Sequence, residues 1–291
     1  MAKESLTEPR TLGILAGSGN LPARVAAAAR AAGRAVFVIG LEGFAEAAVI
    51  APWPHIFIRM GAAGRIVSTL RAQGCQDLVL IGPVRRPSVF DIRPDIEGTK
   101  LIARIGRAAF MAGDDGLLSA VIRVLNEEGF RVLGAHEILN EALGPAGLLS
   151  RAAPDASAMA DVRRGVAVAQ ALGAVDVGQG CVVRAGLVIA VEALEGTDAM
   201  LARCAPLIAA QSGPRGLGVL VKLVKPGQDR RADLPTIGPE TLRLAALAGL
   251  GGVAYEAGGT ILAEREATLA AADALGLFLL GFDPAGILKG S

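Results

Sequence analysis

Aromatic side chains are scarce. Phe, Trp and Tyr make up 3% of the 291 residues, with Trp and Tyr present once each. The apolar fraction of 52% is therefore mostly Ala, Val, Leu and Ile, ample core material for one large domain or two ordinary ones. An excess of either charge is lacking too: the formal net charge is +1, and the basic pair Arg230-Arg231 is short and soon followed by Asp233. No basic face is indicated, which argues against a nucleic-acid partner. Cysteine is sparse, and Cys75, Cys181 and Cys204 form no CxxC pair, so zinc and redox motifs are not supported. An odd, thin cysteine count suits a reducing cytosol, and a cytoplasmic location is expected. Histidine occurs twice, as His55 and His136, and there is no Gly-x-Ser-x-Gly elbow, so neither a zinc enzyme nor a serine hydrolase is supported. His55, in PWPHIF, has no nearby partner in the sequence and reads as structural. No clean apolar run reaches the roughly 20 residues of a spanning helix. The best, Ala267 to Leu280, is broken by Asp273. Residues 1–10, MAKESLTEPR, carry no apolar stretch of a signal peptide and read as a flexible tail. Mean hydropathy is nevertheless +0.49, high for a soluble chain and suited to one that handles a greasy ligand.

What is present alternates. TLGILAG reads as a buried strand, Leu21 to Ala32 as an Ala-rich helix ended by Gly33, and AVFVIGL as a second strand. Ile66 to Gln73 is expected to be helical, DLVLIGPV a strand, Lys100 to Ala109 and Gly116 to Glu128 helices, and FRVLGAHEIL a further strand. Asp114-Asp115 reads as the cap of the helix from Gly116. Continuous apolar strands between helices indicate a parallel sheet covered on both faces, a Rossmann-like layout over residues 11–142. Residues 143–154 are rich in Gly, Pro and Ala and read as a linker. Residues 155–291 read as a mixed α/β domain. In it, Met159 to Leu172 is a helix, CVVRAGLVIAVEA a hairpin turning at Ala185-Gly186, and GVLVKLV a strand. Pro239 to Leu250 is a helix, VAYEAGGTILA a second hairpin, Arg265 to Leu275 a helix and LFLLGF the last strand. The fold class is thus α/β, a Rossmann-like N-terminal domain followed by a distinct mixed C-terminal one.

AGSGNLP, directly after the first strand, looks like the opening of a dinucleotide fold. A strand, Gly17-Ser18-Gly19 and a helix would aim backbone N–H groups at a phosphate. The dinucleotide fingerprint wants a third glycine at the sixth position, where this chain has Pro22. Pro suits a first helical turn, but the packing glycine is missing. Glu42, after the second strand, stands near the offset of a ribose-binding acid. An NAD site and a plain βα turn both remain open from this stretch.

The second half holds the denser polar segments. VEALEGTDAM places Glu192, Glu195 and Asp198 within seven residues beside the turn Gly196-Thr197, with Glu192 ending the strand and the other two in the following loop and helix start. Carboxylates there could hold Mg²⁺, or Thr197 or Asp198 could simply cap a helix starting at Ala199. In VKLVKPGQDRRADLPTIGPETL, Lys222 and Lys225 leave a strand, Asp229 and Asp233 lie in a loop, and Pro239 opens a helix. Lysines beside carboxylates suit a metal–phosphate site. A solvated loop with casual ion pairs is the alternative, although long polar loops are often functional. His136 and Glu137 stand at the end of the expected strand FRVLGAHEIL.

The segments GILAGSGNLP, IGPVRRP, GAHEIL, DVGQGCVV, VEALEGTDAM, ADLPTIGPETL and LGLFLLGFDP run in order along nearly the whole chain. Together they resemble the cytoplasmic two-domain UDP-2,3-diacylglucosamine pyrophosphatases of lipid A biosynthesis. EGTDAM with DLPTIG carries most of the specificity. The resemblance implies Mg²⁺-dependent hydrolysis of UDP-2,3-diacylglucosamine to UMP and 2,3-diacylglucosamine 1-phosphate, with water attacking the phosphorus next to the sugar. It implies a homodimer and a lipid substrate held between the domains, hence transient contact with the inner membrane surface. Asp233 and Asp198 become the expected metal-binding or water-orienting acids, and Lys222 the group that neutralises phosphate. Glu195, Gly196, Thr197 and Lys225 are expected to support substrate, with Gly17, Ser18, Gly19, Gly82 and Val84 on the N-terminal side. Two other classes stay open: an NAD-dependent oxidoreductase, and a non-catalytic carrier of acylated nucleotide sugars.

Overall fold

The computed structural model describes residues 10–84, 94–106, 109, 114–139, 143–210, 216–231 and 234–289, without the side chains of residues 114 and 115. The chain divides into two compact units, residues 1–140 with 229–233, and residues 141–228 with 234–291.

In the first unit, β1 (Thr11–Ala16), β2 (Val36–Leu41), β3 (His55–Ile58), β4 (Cys75–Ile81) and β5 (Arg131–Val132) form one sheet in the order β3-β2-β1-β4-β5. All pairings are parallel. Alternation along β1 sends Leu12, Ile14 and Ala16 to a core shared with Val25, Ala26 and Ala29 of α1 (Leu21–Ala31). Leu15 faces the opposite core, built from Ile66, Val67 and Leu70 of α2 (Ala63–Ala72). Strands buried on both faces are what the unbroken apolar runs demanded. Asp95 begins α3 (Ile96–Ile105) and accepts from the N–H of Gly98 at 2.5 Å, Gly64 at 3.2 Å and Arg65 at 2.9 Å, so one carboxylate caps two helices.

Two expectations for this unit need correction. His55 does have neighbours: its Nδ1 lies 2.7 Å from the Trp53 carbonyl, its ring meets Phe57 edge-on, and it opens the unforeseen strand β3. FRVLGAHEIL is not one strand. β5 covers only Arg131–Val132, and Ala135–Leu139 is helical, with the Gly134 N–H donating to Glu137 Oε1 at 2.7 Å. A short apolar run reads equally as buried strand or buried helix. His136 and Glu137 therefore lie in a short helix. The expected tail falls on residues outside the description except for Arg10, and the Asp114-Asp115 cap rests on side chains outside it.

The second unit is built on a mixed sheet in the order β6-β13-β11-β9-β7-β8. Its strands are β6 (Gly147–Leu148), β7 (Gly180–Arg184), β8 (Leu187–Val191), β9 (Val219–Lys222), β11 (Gly252–Glu256) and β13 (Phe278–Phe282). β9, β11 and β13 are mutually parallel. The hairpin β7–β8 turns at Ala185-Gly186 as expected, and β7 runs antiparallel to β9. The 19-residue helix Ala156–Ala174 covers one face through Val162, Val166 and Ala169. The helices Gly196–Ala209, Pro239–Leu247 and Arg265–Leu275 pack on the other. Residues 143–154, expected as a linker, are woven into this unit. β6 pairs with β13, the Leu149 N–H donates to the Leu279 carbonyl at 2.9 Å, and the Tyr255 hydroxyl donates to the Pro145 carbonyl at 2.9 Å. VAYEAGGTILA is not a hairpin: β12 (Ile261–Leu262) leaves the large sheet and pairs parallel with β10 (Thr236–Ile237). Thr260 and Ile261 bond outward, to Gly144 and Pro235, and not back to β11. Among the described residues no helix is long and apolar enough to cross a membrane.

Asp77 is the one acid buried in the first sheet, with no solvent exposure. It accepts from Arg131 Nε and Nη2, both at 2.8 Å, and from Arg34 Nη2 at 2.5 Å. Burial pushes its carboxyl up, but hydrogen bonds and charge from Arg131 and Arg34 outweigh that and hold it below the usual range. The folded value is depressed. Its contribution to stability is therefore whole above the unfolded value near pH 4, and is lost as pH falls through the lower folded value. Asp77→Asn should cost roughly 1–3 kcal/mol at pH 7, below the full penalty of a broken buried pair because Arg131 can turn to water. Urea unfolding should show that deficit at pH 7 and a smaller one near pH 3.

Candidate active site

In an open parallel sheet a ligand usually sits beyond the carboxyl ends of the strands where the order reverses, here between β1 and β4. That crevice is closed by its own loops. The Gly17 N–H donates to the Ile81 carbonyl at 2.8 Å, and the Ser18 N–H and hydroxyl both donate to the Pro83 carbonyl, at 3.0 and 2.9 Å. The Gly19 N–H is held by Glu46 Oε1 at 3.3 Å, so a protein carboxylate stands where a phosphate would. The glycines serve close approach of backbone to backbone. A Cβ on Gly17 would come within 2.4 Å of the Gly82 oxygen. One on Gly82, at φ +95°, would come within 2.6 Å of the Ser18 oxygen. Gly17, Ser18, Gly19 and Gly82 are thus brought together, with Val84 half-exposed nearby in sequence, but the N–H groups of Gly17, Ser18 and Gly19 are spent on protein acceptors. This arrangement does not fit NAD. Glu42 donates its own N–H to the Ile58 carbonyl at 3.1 Å and follows β2 directly.

In the second unit, the motif segments meet at one ammonium. Lys222 ends β9 and is only 3% exposed. Its Nζ donates to Thr197 Oγ1 at 2.7 Å and to the Thr236 carbonyl at 3.4 Å. The Thr197 hydroxyl donates in turn to Glu192 Oε1 at 2.8 Å. Lys222 thereby ties VEALEGTDAM to DLPTIG, segments about 40 residues apart in the chain. Register explains the meeting. Gly180 pairs with Lys222 across β7 and β9, and the Glu192 N–H donates to the Gly180 carbonyl at 2.8 Å, so all three lie in one row. The expectation that Thr197 or Asp198 caps a helix from Ala199 is corrected. The helix starts at Gly196, its N-cap Glu195 makes no side-chain cap bond, and the Thr197 hydroxyl is engaged with Glu192 and Lys222.

The other expected residues divide. Glu195 is paired with Arg203 at 2.8 Å, and its carboxyl is held below the usual range first by its own backbone N–H and then by Arg203. Lys225 is bound to Asp176 at 2.6 Å and Asp229 to Arg231 at 2.6 Å. Arg231 holds the Asp229 carboxyl below its usual range. Gly196 supplies a φ of +79° at the helix start. Asp198 is exposed in the first helical turn and has no hydrogen-bond or ion-pair partner among the described residues. Asp233, the acid of DLPTIG, lies outside the described residues. Glu192 was read from sequence as a strand end, and its partnership with Thr197 was missed. An i,i+5 pair across a loop follows no helical or strand period.

The thiols are not nucleophiles. All three are free and buried. Burial pushes Cys75 and Cys204 up to about 11, and burial with the Glu192 charge pushes Cys181 up to about 12. A cavity of about 490 Å³ lies at the amino ends of β9, β11 and β13, bordered by Asp155, Asp161, Gly218 and Gly251. It is at the opposite end of those strands from Lys222 and holds none of the expected residues. No three His, Cys, Asp or Glu side chains gather as a metal site among the described residues. Mg²⁺ commonly takes one or two carboxylates plus substrate phosphates and water, not a protein cage. The exposed, unpartnered carboxylate of Asp198 fits that share.

A Rossmann-like parallel unit followed by a mixed-sheet unit with a buried Lys–Thr–Glu cluster defines a two-domain α/β protein. The comparisons supply the rest. The LpxI N-terminal domain family model matches residues 11–142 and the LpxI C-terminal domain model residues 145–280. The chain is 46% identical over 277 residues to the UDP-2,3-diacylglucosamine pyrophosphatase LpxI of Caulobacter vibrioides, covering 94% of this chain and 98% of that one. The chain belongs to the LpxI family. Solved structures with some likeness include a UDP-glucose-4-epimerase from Stenotrophomonas maltophila, 11% identical over 42% of this chain and 34% of that one, TM-score 0.27. Another is glycinamide-RNase-transformylase T from Mycobacterium tuberculosis, 16% identical over 63% of this chain and 44% of that one, TM-score 0.23. Likeness at that level carries no argument here.

The closed β1–β4 crevice gives its own expectation. Gly82→Ala adds left-handed strain to a backbone clash and should cost roughly 2–4 kcal/mol. NADH fluorescence should be unchanged by the wild-type protein. A tolerated Gly82→Ala, or NADH binding, would show that the loops do not hold each other as described.

Proposed function

We propose that this protein hydrolyses the pyrophosphate of UDP-2,3-diacylglucosamine. Water forms the new bond to the phosphorus next to the sugar. The bond from that phosphorus to the bridging oxygen breaks, and the oxygen leaves with UMP, so the other product is 2,3-diacylglucosamine 1-phosphate. The single observation that carries this reading is the convergence of the family's motif segments on Lys222. It is supported by 46% identity to an LpxI pyrophosphatase along nearly the whole chain. A buried ammonium at the carboxyl end of a parallel strand is suited to non-bridging phosphate oxygens, whose charge grows as the bond breaks. Two of its three N–H donors have protein partners among the described residues, which leaves one for an anion. The water's proton goes to an acid, for which Asp233 is our first choice and Asp198 our second. Mg²⁺ is proposed with the same two acids, and when bound it would neutralise charge on the phosphates. Gly196, Glu195 and Lys225 are read as supports of the loops that carry this chemistry. A cytoplasmic homodimer that meets its lipid substrate at the inner membrane surface completes the proposal.

Purified protein with UDP-2,3-diacylglucosamine and Mg²⁺ should release UMP, and chelator should stop it. Asp233→Ala should abolish release, and Lys222→Met should lower kcat/KM by about 10²–10³. In ¹⁸O-water the label should appear in the sugar 1-phosphate. Label in UMP would reverse the direction of attack. Tight binding without UMP would make the protein a carrier.

A further inference from the structure

Lys222, Thr197 and Glu192 form a chain of hydrogen bonds whose direction has no freedom. An ammonium only donates and a carboxylate only accepts. Thr197 has a single hydroxyl proton, and it points at Glu192 Oε1, so its oxygen lone pair faces Lys222. Glu192 is 6% exposed, and its Oε2 is buried with no hydrogen-bond partner among the described residues. A buried carboxylate left half-paired is costly unless its charge is used. The nearest use is the ammonium two hydrogen bonds away, itself 3% exposed and without a carboxylate within salt-bridge distance among the described residues. Space for Glu192 is reserved. A Cβ on Gly180 would stand 2.5 Å from Glu192 Oε2 and 3.6 Å from Lys222 Cγ, and one on Gly178 would stand 1.9 Å from the Glu192 backbone carbonyl oxygen. Gly180 thus leaves the hollow in which the carboxylate lies beside the lysine stem, and Gly178 lets the Glu192 backbone pass close by.

We infer that Glu192 is a positioning residue. Through the Thr197 hydroxyl it balances the Lys222 charge and fixes the ammonium, so that its third N–H is held ready for a phosphate oxygen. Glu192 touches no substrate in this account. It acts by orienting Thr197, and Thr197 by orienting Lys222. The same chain anchors the segment after Asp233, because Lys222 also holds the Thr236 carbonyl. The anion recognised is the pyrophosphate of the substrate proposed above, so this inference rests on that reading.

The test compares Thr197→Val, Thr197→Ser, Glu192→Gln and the double variant Thr197→Val with Glu192→Gln, in the full chain. Rates of UMP release are measured, together with the Kd for inorganic pyrophosphate by calorimetry and thermal unfolding. Thr197→Val should lower kcat by about 10–100-fold, the range expected when a partner that orients a working group is lost. Thr197→Ser, which restores the hydroxyl, should recover at least about tenfold of that loss. Glu192→Gln should be impaired on its own. In the double variant it should add less than about twofold to Thr197→Val, since residues acting as one unit are not additive. Multiplying losses, or no recovery with serine, would overturn the relay and leave the hydrolase reading intact. Wild-type rates in Glu192→Gln would do the same. If Glu192→Gln does not fold, the valine–serine contrast still decides. If the wild-type chain releases no UMP, the hydrolase reading falls, and the same pattern is then read in the pyrophosphate Kd. Absence of pyrophosphate binding by the wild type would overturn the relay as well.

Discussion

A lysine ammonium buried at the end of β9 is the constraint around which the second unit is arranged. Taking such a charge out of water costs several kcal/mol unless every donor and a counter-charge are provided. From three separate segments the protein provides acceptors for two of the donors and the counter-charge, leaving the third donor open among the described residues. Thr197 comes from the first turn of a helix, Thr236 from the start of a two-residue strand, and Glu192 from the residue after β8. Each explains a local departure from regularity. The helix at Gly196 has no side-chain cap from Glu195, whose carboxylate is taken by Arg203, and the threonine of its first turn is committed to Lys222 and Glu192. β8 ends at Val191, and the next side chain, Glu192, takes the Thr197 hydroxyl that serves the lysine. β10 pairs with β12 and not with the large sheet, which leaves its Thr236 carbonyl within reach of Lys222.

The first unit has a parallel sheet of the same broad kind and uses its carboxyl ends in the opposite way. There the backbone donors of the opening loop are spent on the neighbouring loop and on Glu46. The glycines that invite comparison with a dinucleotide site are needed because two backbones pass too closely for any Cβ. A glycine-rich turn after a strand has two physical causes, approach of a ligand and approach of another loop, and only the acceptors of its N–H groups distinguish them. The buried Asp77, with its arginines, secures the amino end of β4 in the same sheet, where it pairs across to Arg131.

The layers were legible in the sequence because apolar runs report burial directly. β1, β2, β4, the β7–β8 hairpin, β9 and β13 all stand where unbroken or alternating apolar stretches placed them. The errors fall where apolar content is silent about partners. GAHEIL has the composition of a strand, but Glu137 returns to the Gly134 N–H and winds it into a helix. Ile261–Leu262 looks like the return arm of a hairpin, but its N–H groups bond to a different segment. For the site, Lys222 and Thr197 were legible as residue types beside carboxylates. Which carboxylate mattered was not. Glu195 and Asp229 look equal to Glu192 in the chain, yet Arg203 and Arg231 take them up. Arginine competition is a tertiary fact with no sequence period.

Why the lysine can sit so deep follows from the sheet itself. Across neighbouring strands, register sets Gly180 beside Lys222, Lys222 beside Tyr255 and Tyr255 beside Gly281. Paired residues project from one face, so bulk alternates along this row with absence of bulk. Gly180 opens the hollow that Glu192 enters from the next strand end. Gly281 opens the one that takes the Tyr255 ring, where a Cβ would stand 2.8 Å from the hydroxyl. Tyr255 then gives Lys222 a buried wall on the side away from its polar partners, with its own hydroxyl spent on Pro145. Because strand side chains alternate with period two, a slip of one residue in β9 would carry the ammonium to the opposite face, among Val162, Val166 and Ala169. That face is lined by apolar side chains, and the buried acid of its covering helix, Asp161, is already committed to the Ala185 and Gly186 N–H groups. The register of β7, β9 and β11 and the position of the charge therefore specify each other: the apolar pattern selects the register, and the cost of a misplaced ammonium excludes the alternatives.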